Sequence, residues 1–191
     1  MQDIVISHLY KSFGDKAVIS DLSAVFPKNE ISCIMAVSGA GKTTLVRIIM
    51  GLEKADSGMV TGTENAKIRA VFQENRLCGE LDAVSNIRLV NDKNTKQDVI
   101  KALNEMGIID CTEKPVSSFS GGMKRRVAIL RALLSDFDIL ILDEALQGLD
   151  SDTNSLVLEN MKKYIAQKTV IMITHNKQDA EFFGCKNYIN F

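Results

Sequence analysis

Residues 31–52 read ISCIMAVSGAGKTTLVRIIMGL and combine three local signals in one short segment. The apolar run Ile31–Val37 predicts a buried strand. Apolar residues then recur from Leu45 to Leu52 at the spacing of one helical face, which predicts a helix. Small residues and the pair Lys42-Thr43 lie between the two. Strand, small-residue loop and helix in this order form the context that a phosphate-binding loop requires.

The small residues of this loop allow successive backbone N–H groups to curl around a phosphate, and the helix N-terminus adds the positive end of its dipole. Lys42 can reach the β- and γ-phosphates of a nucleotide, and the Thr43 hydroxyl can bind Mg²⁺. Ala36 replaces the first glycine of the pattern G-x-x-x-x-G-K-[ST]. Its Cβ costs about 1 kcal/mol if that position needs a positive φ, and the change is nearly neutral otherwise. The predicted phosphate-binding residues are Ser38, Gly39, Ala40, Gly41, Lys42, Thr43 and Thr44.

Apolar runs alternate with helical periodicity along the rest of the chain. Besides Ile31–Val37, the predicted buried strands are Phe137–Leu142, Thr169–Thr174 and the shorter Ile68–Phe72. Strands alternating with helices predict an α/β domain with a parallel sheet.

Two further regions have a different pattern. Residues Ile4–Pro27 predict antiparallel strands around the turn-like Phe13-Gly14-Asp15. The segment Leu77–Ser118 predicts an inserted, mainly helical subdomain.

Composition and local sequence patterns argue against several classes of function. The 191 residues are 46% hydrophobic and 25% charged, with a formal net charge of −1, which weakens any case for broad electrostatic binding to nucleic acid or anionic membrane. No apolar run approaches the ~20 residues that span a bilayer. Four scattered cysteines and two histidines lack the spacing of metal ligands. The N-terminus lacks the pattern of a secretory signal, so we expect a cytoplasmic chain.

Two adjacent carboxylates end the predicted strand Phe137–Leu142. Asp143 can hold the Mg²⁺ shell, and Glu144 can orient or deprotonate an attacking water.

A second candidate for anion binding stands before a predicted basic helix. Ser120, Gly121 and Gly122 offer a hydroxyl, bare backbone amides and a helix dipole that point one way. Since one nucleotide does not need two such cradles from one chain, this element is predicted to face a phosphate held by another subunit.

Five motifs follow one another along the chain: SGAGKTT, VFQEN, FSGGMKRRVAILRALL, DILILDEALQGLD and TVIMITHN. Together they resemble the nucleotide-binding domain of ATP-binding cassette (ABC) proteins over nearly the whole chain. The resemblance implies an α/β, P-loop NTPase domain of the ABC type over residues 1–191. We expect it to contain a mainly parallel core sheet, an N-terminal antiparallel β subdomain and a helical subdomain inserted at about 77–118.

The resemblance also implies roles for individual residues. Phe13 matches the aromatic residue that stacks on adenine, with Tyr10 a weaker candidate. Gln73 matches a glutamine that touches Mg²⁺ and the attacking water. Asp150 matches an aspartate in a loop that crosses the dimer interface, and His175 a histidine that contacts the γ-phosphate. The departures from the family pattern that flank these motifs are Phe119, Met123 and Ala145-Leu146-Gln147.

Three classes of function remain open from the sequence. The leading one is the ATP-hydrolysing subunit of an ABC transporter, which uses ATP and Mg²⁺ and energises a separate membrane permease. Residues 71–77 are similar to those of nitrate-, sulfonate- and taurine-type importers, which favours an importer. A soluble ABC ATPase outside transport is the alternative. A P-loop kinase is the third class, and it gives no reason for Ser120-Gly121-Gly122.

The resemblance implies a second copy of the chain, or a paralogous ATPase subunit, as the partner in an ATP-sandwich dimer, and no nucleic acid. The permease would hold the chain at the inner face of the cell membrane. We expect its docking surface at Glu74–Leu89, where the candidates for apolar contact and orientation are Leu77, Glu80, Leu81, Asp82, Val84 and Ile87.

Overall fold

The computed structural model describes residues 2–35, 39–109 and 113–190. In chain order the elements are β1 (Ile4–Phe13), β2 (Lys16–Phe26), β3 (Ile31–Met35), α1 (Lys42–Ile49), β4 (Ser57–Thr61), β5 (Ile68–Val71), α2 (Ala83–Arg88), α3 (Lys96–Glu105), α4 (Gly121–Leu133), β6 (Ile139–Asp143), α5 (Ser151–Ile165), β7 (Thr169–Ile173), α6 (Lys177–Phe182) and β8 (Asn187–Asn190). The chain divides into two compact units. The first comprises Met1–Ile68, Phe137–Asp143 and Gln167–Phe191, and the second comprises Arg69–Asp136 and Glu144–Ala166.

The N-terminal strands of the first unit form an antiparallel sheet of order β2-β1-β4. The predicted antiparallel pair is therefore confirmed, and Gly14 has the positive φ of its turn. Strand β4 was not predicted. It approaches β1 so closely that a Cβ on Gly58 would lie 2.2 Å from the carbonyl oxygen of His8, so the pairing depends on a glycine that sequence patterns treat as a strand breaker.

The second sheet has the order β5-β6-β7-β3-β8, and β6, β7, β3 and β8 pair in parallel. All four predicted strands are confirmed within the described residues. Every residue of β6 and β7 is buried, as expected for strands covered on both faces. Asp143 pairs with Ile173 and Ile34 also pairs with Ile173, so the carboxyl ends of β3, β6 and β7 reach one edge of the sheet. In open parallel sheets this edge is where ligands bind.

The second unit contains the helices α2 to α5. A capping box between Thr95 and Asp98 starts α3, and Gly107 follows its end with a φ of 69°. Buried apolar side chains form the core of this unit, among them Ile87, Leu103 and Val127. The predicted helical segment 77–118 contains α2 and α3, but the compact unit is larger than that segment. The single-domain organisation over 1–191 stays a prediction.

Within the described ranges, none of the helices has both the length and the apolar character that a membrane span requires.

Candidate functional site

The loop before α1 has the backbone of a phosphate cradle. Gly39 has a φ of 82° and Gly41 a φ of 93°, both in the left-handed region that glycine adopts without a steric penalty. Gly41 is the N-cap of α1, and Lys42 is its first residue. The amide groups at this helix end therefore face the loop. Ser38 and Ala36 lie outside the described residues, so their predicted roles stay predictions.

Lys42 and His175 come together in the first unit. The Nζ atom of Lys42 lies 3.1 Å from Nε2 of His175, which follows β7. In this contact the ammonium group of Lys42, which has only donors, donates to the ring nitrogen. The side chain of Lys42 is buried, whereas His175 is exposed. The structure thus groups two of the predicted phosphate contacts.

Thr43 and Asp143 form the second pair. The Thr43 hydroxyl donates a hydrogen bond of 3.1 Å to Oδ2 of Asp143, and Asp143 is only 5% exposed. Helix α1 positions the hydroxyl and the end of β6 positions the carboxylate. A hydroxyl and a carboxylate side by side are hard oxygen donors of the kind that bind Mg²⁺.

Phe13 stands at the end of β1 with 49% of its surface exposed. The ammonium group of Lys11 lies 4.9 Å from the centre of its ring. Tyr10, the weaker candidate, is also exposed. An exposed aromatic ring in the unit that carries the phosphate loop is a candidate platform for a base.

Glu144 follows Asp143 directly and is half-buried. Its φ of 49° is rare for a residue with a Cβ. The backbone amide of Gln147 donates a hydrogen bond of 3.2 Å to the carbonyl oxygen of Glu144. The two residues that follow Glu144, Ala145 and Leu146, are buried. The departures Ala145 and Leu146 thus pack inside the protein.

Ser120 is the N-cap of α4, and its hydroxyl accepts a hydrogen bond of 3.2 Å from the amide of Met123. Ser120 and Gly121 are exposed. A Cβ on Gly121 would meet no atom within 4 Å, and a Cβ on Gly122 would only touch Leu149. Internal packing therefore does not require either glycine, and the predicted role of Ser120, Gly121 and Gly122 in closing over ATP stays a prediction.

The segment that contains Gln73 is held by arginines of α4, which the sequence did not reveal. Arg125, itself buried, donates hydrogen bonds to the carbonyl oxygens of Phe72 and Gln73. Arg131 donates one of 3.3 Å to the carbonyl of Asn75. The hydrogen bond from Arg125 thus anchors the backbone of Gln73. Its side-chain amide is exposed and can contact a ligand.

Asp150 caps α5, where its carboxylate accepts a hydrogen bond of 2.9 Å from the amide of Thr153. That hydrogen bond, with one from the Thr153 side chain, holds the pKa of Asp150 below its usual value. Asp150 is also exposed, so capping α5 does not prevent it from lying at a dimer interface. Its predicted place there stays a prediction.

The expected docking segment needs a correction. Val84 and Ile87 are buried and contribute to the core of the second unit, so the prediction that they contact a partner is wrong. Asp82 caps α2 by accepting hydrogen bonds from Ser85. Leu77 and Leu81 are half-buried, and the exposed apolar side chains at the end of the segment are Leu89 and the adjoining Val90, which line an open groove of about 740 Å³.

A family model described as ABC transporter matches residues 19–147. The spermidine/putrescine import ATP-binding protein PotA of Bacteroides thetaiotaomicron is 34% identical over 195 residues, which cover 93% of this chain and 42% of that protein. The aliphatic sulfonates import ATP-binding protein SsuB 1 of Mesorhizobium japonicum is 34% identical over 181 residues, which cover 89% of this chain and 68% of that protein. The chain therefore spans between two fifths and about two thirds of the length of these relatives.

A similar fold occurs in a dimeric ATP-binding cassette solved in a post-hydrolysis state with ADP and Pi bound. The TM-score is 0.84 at 25% sequence identity, and the match covers 98% of this chain and 94% of the other. These matches agree with the order of the sequence motifs and with the contacts of Lys42 and Thr43 to His175 and Asp143. The chain belongs to the ABC transporter family, within its ATP-binding cassettes.

Proposed function

We propose that the chain binds Mg-ATP and hydrolyses it as the ATPase subunit of an import system with a separate transmembrane permease. The observation that carries this proposal is the grouping of Lys42 with His175 and of Thr43 with Asp143 around the N-terminus of α1. Together with the positive helix end, these groups can bind a polyphosphate. Phe13 is the proposed platform for the adenine base.

The charges of the site suit this ligand. Lys42 neutralises negative charge on the β- and γ-phosphates, both in bound ATP and in the transition state. His175 can donate a hydrogen bond to the γ-phosphate from Nδ1, since Nε2 of its ring faces Lys42. Because residues 39 and 41 are glycines, no Cβ at these two positions obstructs the approach of a phosphate to the backbone amides.

The residues present fit Mg²⁺. We assign Thr43 and Asp143 as its ligands, because their oxygens are adjacent and hard, and Gln73 as a further ligand by family resemblance. When bound, the ion would supply Lewis-acid polarisation of the phosphate oxygens. Glu144 is the proposed base that takes a proton from the attacking water. Its positive φ fits this role, because strained backbone concentrates at functional positions.

Ser120, Gly121 and Gly122 are proposed to close over the ATP of a second subunit. This rests on their exposure and on the open space around Gly121. The similar solved structure supports the proposal, because it is a dimeric cassette. Asp150 is proposed to lie near the same interface.

Coupling to a permease is proposed from the two relatives, both of which are import ATP-binding proteins. The permease would hold the chain at the inner face of the membrane. We infer that it contacts the second unit near Leu89 and Val90, which are exposed next to the groove.

The direct test is phosphate release from Mg-ATP by the purified chain. We expect steady turnover by the unmodified protein and none by Lys42→Ala. Transfer of the γ-phosphate to a small-molecule acceptor without release of phosphate to water would instead favour a kinase and contradict the proposal.

A further inference from the structure

We propose that Lys11 is a positioning residue for the nucleotide base, holding the ring of Phe13 in the orientation that receives the base. The inference rests on the proposed role of Phe13. It assigns a function to a buried lysine that the phosphate chemistry does not use.

Lys11 and Phe13 lie two positions apart at the end of β1, on either side of an irregularity in its pairing with β2 between Lys11 and Ser12. The ammonium group lies over the ring, 4.9 Å from its centre. The Lys11 side chain is only 11% exposed, whereas Phe13 is 49% exposed. Lysine thus covers part of the ring and leaves the rest open to a planar ligand.

Two carboxylates fix the position of the lysine. Its Nζ atom lies 2.9 Å from Glu53 and 3.4 Å from Asp56. The hydrogen bond to Glu53 is the largest cause that raises the pKa of Lys11, so the amine carries its charge at neutral pH. Asp56 also accepts a hydrogen bond of 2.7 Å from the amide of Ser12, between the lysine and the phenylalanine.

The main chain of the two residues that bear these carboxylates connects β1 to α1. The amide of Glu53 donates a hydrogen bond of 3.2 Å to the carbonyl of Arg47, in the last turn of α1, and the amide of Asp56 donates one of 2.9 Å to the carbonyl of Tyr10. Helix α1 begins at Lys42. The end of β1 that carries Phe13 is therefore tied to the helix that carries the phosphate-binding lysine, all within the first unit.

Packing alone does not account for a lysine here. A buried charge loses its hydration, and an apolar side chain of similar size could fill the position without carboxylate partners. The charged group instead fixes the orientation of its neighbour. It is anchored at two oxygens and attracts the face of an aromatic ring. A ring held in this way loses less freedom when a base stacks on it, which favours binding.

The base and the phosphates should respond differently when Lys11 is changed. We expect Lys11→Met to weaken binding of Mg-ADP about three- to fivefold, the range of an exposed cation–π contact. The affinity of Lys11→Met for Mg-tripolyphosphate, which has no base, should stay within about twofold of that of the unmodified protein, because the cation–π contact acts on the base alone. Calorimetric titration of each probe measures both affinities, and neither probe is turned over.

Three variants separate positioning from folding. Lys11→Arg keeps the charge and should restore Mg-ADP affinity. Lys28→Met removes an exposed lysine elsewhere in the first unit and should change neither affinity. Glu53→Gln weakens the anchor without touching Lys11, and should lower Mg-ADP affinity selectively even if Lys11→Met proves unstable in thermal melting.

In a Phe13→Ala background, Lys11→Met should have no further effect on Mg-ADP affinity. Equal losses for both probes, unchanged Mg-ADP affinity, or an undiminished effect in that background would overturn the inference. A Phe13→Ala protein that binds Mg-ADP as well as the unmodified chain would instead overturn the proposed role of Phe13 itself.

Discussion

The guanidinium of Arg125 donates a hydrogen bond to the main-chain carbonyl of Gln73. A second nitrogen of the same group donates one of 2.6 Å to the carbonyl of Phe72. Arg125 lies in the second turn of α4, the helix that the proposed phosphate-closing residue Ser120 caps. The helix that begins with one proposed ATP contact therefore anchors the backbone of another.

Removing this anchor should destabilise the second unit and misplace Gln73. We expect Arg125→Met to lower the free energy of unfolding by about 2–3 kcal/mol, because it removes the charged donor from two main-chain carbonyls. The kcat for ATP hydrolysis should fall more than ATP affinity. Urea unfolding and steady-state kinetics measure the two effects. Arg88→Met, at an exposed arginine of the same unit, is the matched control, and equal effects in both variants would contradict the role.

The sequence predicted the buried strands and the phosphate loop because their signals are local. An apolar run such as Ile139–Leu142, or a glycine next to Lys42, is visible within a few residues. By contrast, β4 and β8 lack that signal: β4 is mostly exposed and depends on the close approach at Gly58.

The residues that support the site were missed for a related reason. Lys11 and Asp56 are 45 residues apart, and Arg125 and Phe72 are 53 apart. The pattern of basic residues in α4 is also what anion binding would produce, although Arg125 is used to bind main-chain carbonyls. Only the fold brings such partners together.

Lys42 and Glu144 should be separable in function. Lys42→Ala should weaken both ATP binding and turnover, because Lys42 acts on phosphate charge throughout the reaction. Glu144→Gln should retain binding and lower kcat about 100-fold or more, as expected for loss of a general base. Binding titrations and phosphate release measure the difference. Glu159→Gln, at an exposed acid of α5, is the control, and a Glu144→Gln protein with ordinary turnover would show that the base is elsewhere.

Assembly provides a test of Ser120. With Mg-ATP, Glu144→Gln should move from monomer to dimer on a sizing column, because ATP stays trapped between two subunits. Ser120→Arg should abolish the shift, but it also removes the cap of α4, which costs about 1 kcal/mol.

Ser120→Asp gives a sharper form of this test. Aspartate retains a capping oxygen while repelling a phosphate, so the helix should stay stable and the dimer should still be lost. Ser118→Arg, at an exposed serine just before α4, should leave the shift intact. A Glu144→Gln protein that stays monomeric at saturating ATP would count against the head-to-tail arrangement.

Cysteine reactivity should follow burial. Cys78 is exposed, whereas Cys33 is fully buried and burial raises the pKa of its thiol to about 11. Burial also raises the pKa of Cys185. At pH 8 the folded protein should therefore be alkylated at Cys78 well before Cys33, because the thiolate is the reactive form. Peptide mass spectrometry over a time course measures each site, with urea-unfolded protein as the reference. Equal rates at Cys33 and Cys78 in the folded protein would contradict the packing of β3.

The permease should contact the exposed apolar pair at the end of α2. Leu89 is 61% exposed and Val90 42% exposed, and both line the groove with Arg88 and Lys93. A charge placed there should oppose burial of the surface against a partner, so Leu89→Glu and Val90→Glu should lower co-purification with the permease and reduce transport.

The isolated variants should keep the basal ATPase rate, since neither residue belongs to the proposed ATP site. Met59→Glu, at a comparably exposed apolar residue of β4 in the other unit, should leave association and transport unchanged. If Leu89→Glu and Val90→Glu proteins recover the permease as well as the unmodified chain does, the docking surface lies elsewhere. Equal losses in the Met59→Glu protein would mean that any new surface charge impairs the complex, and the groove would have no special part in it.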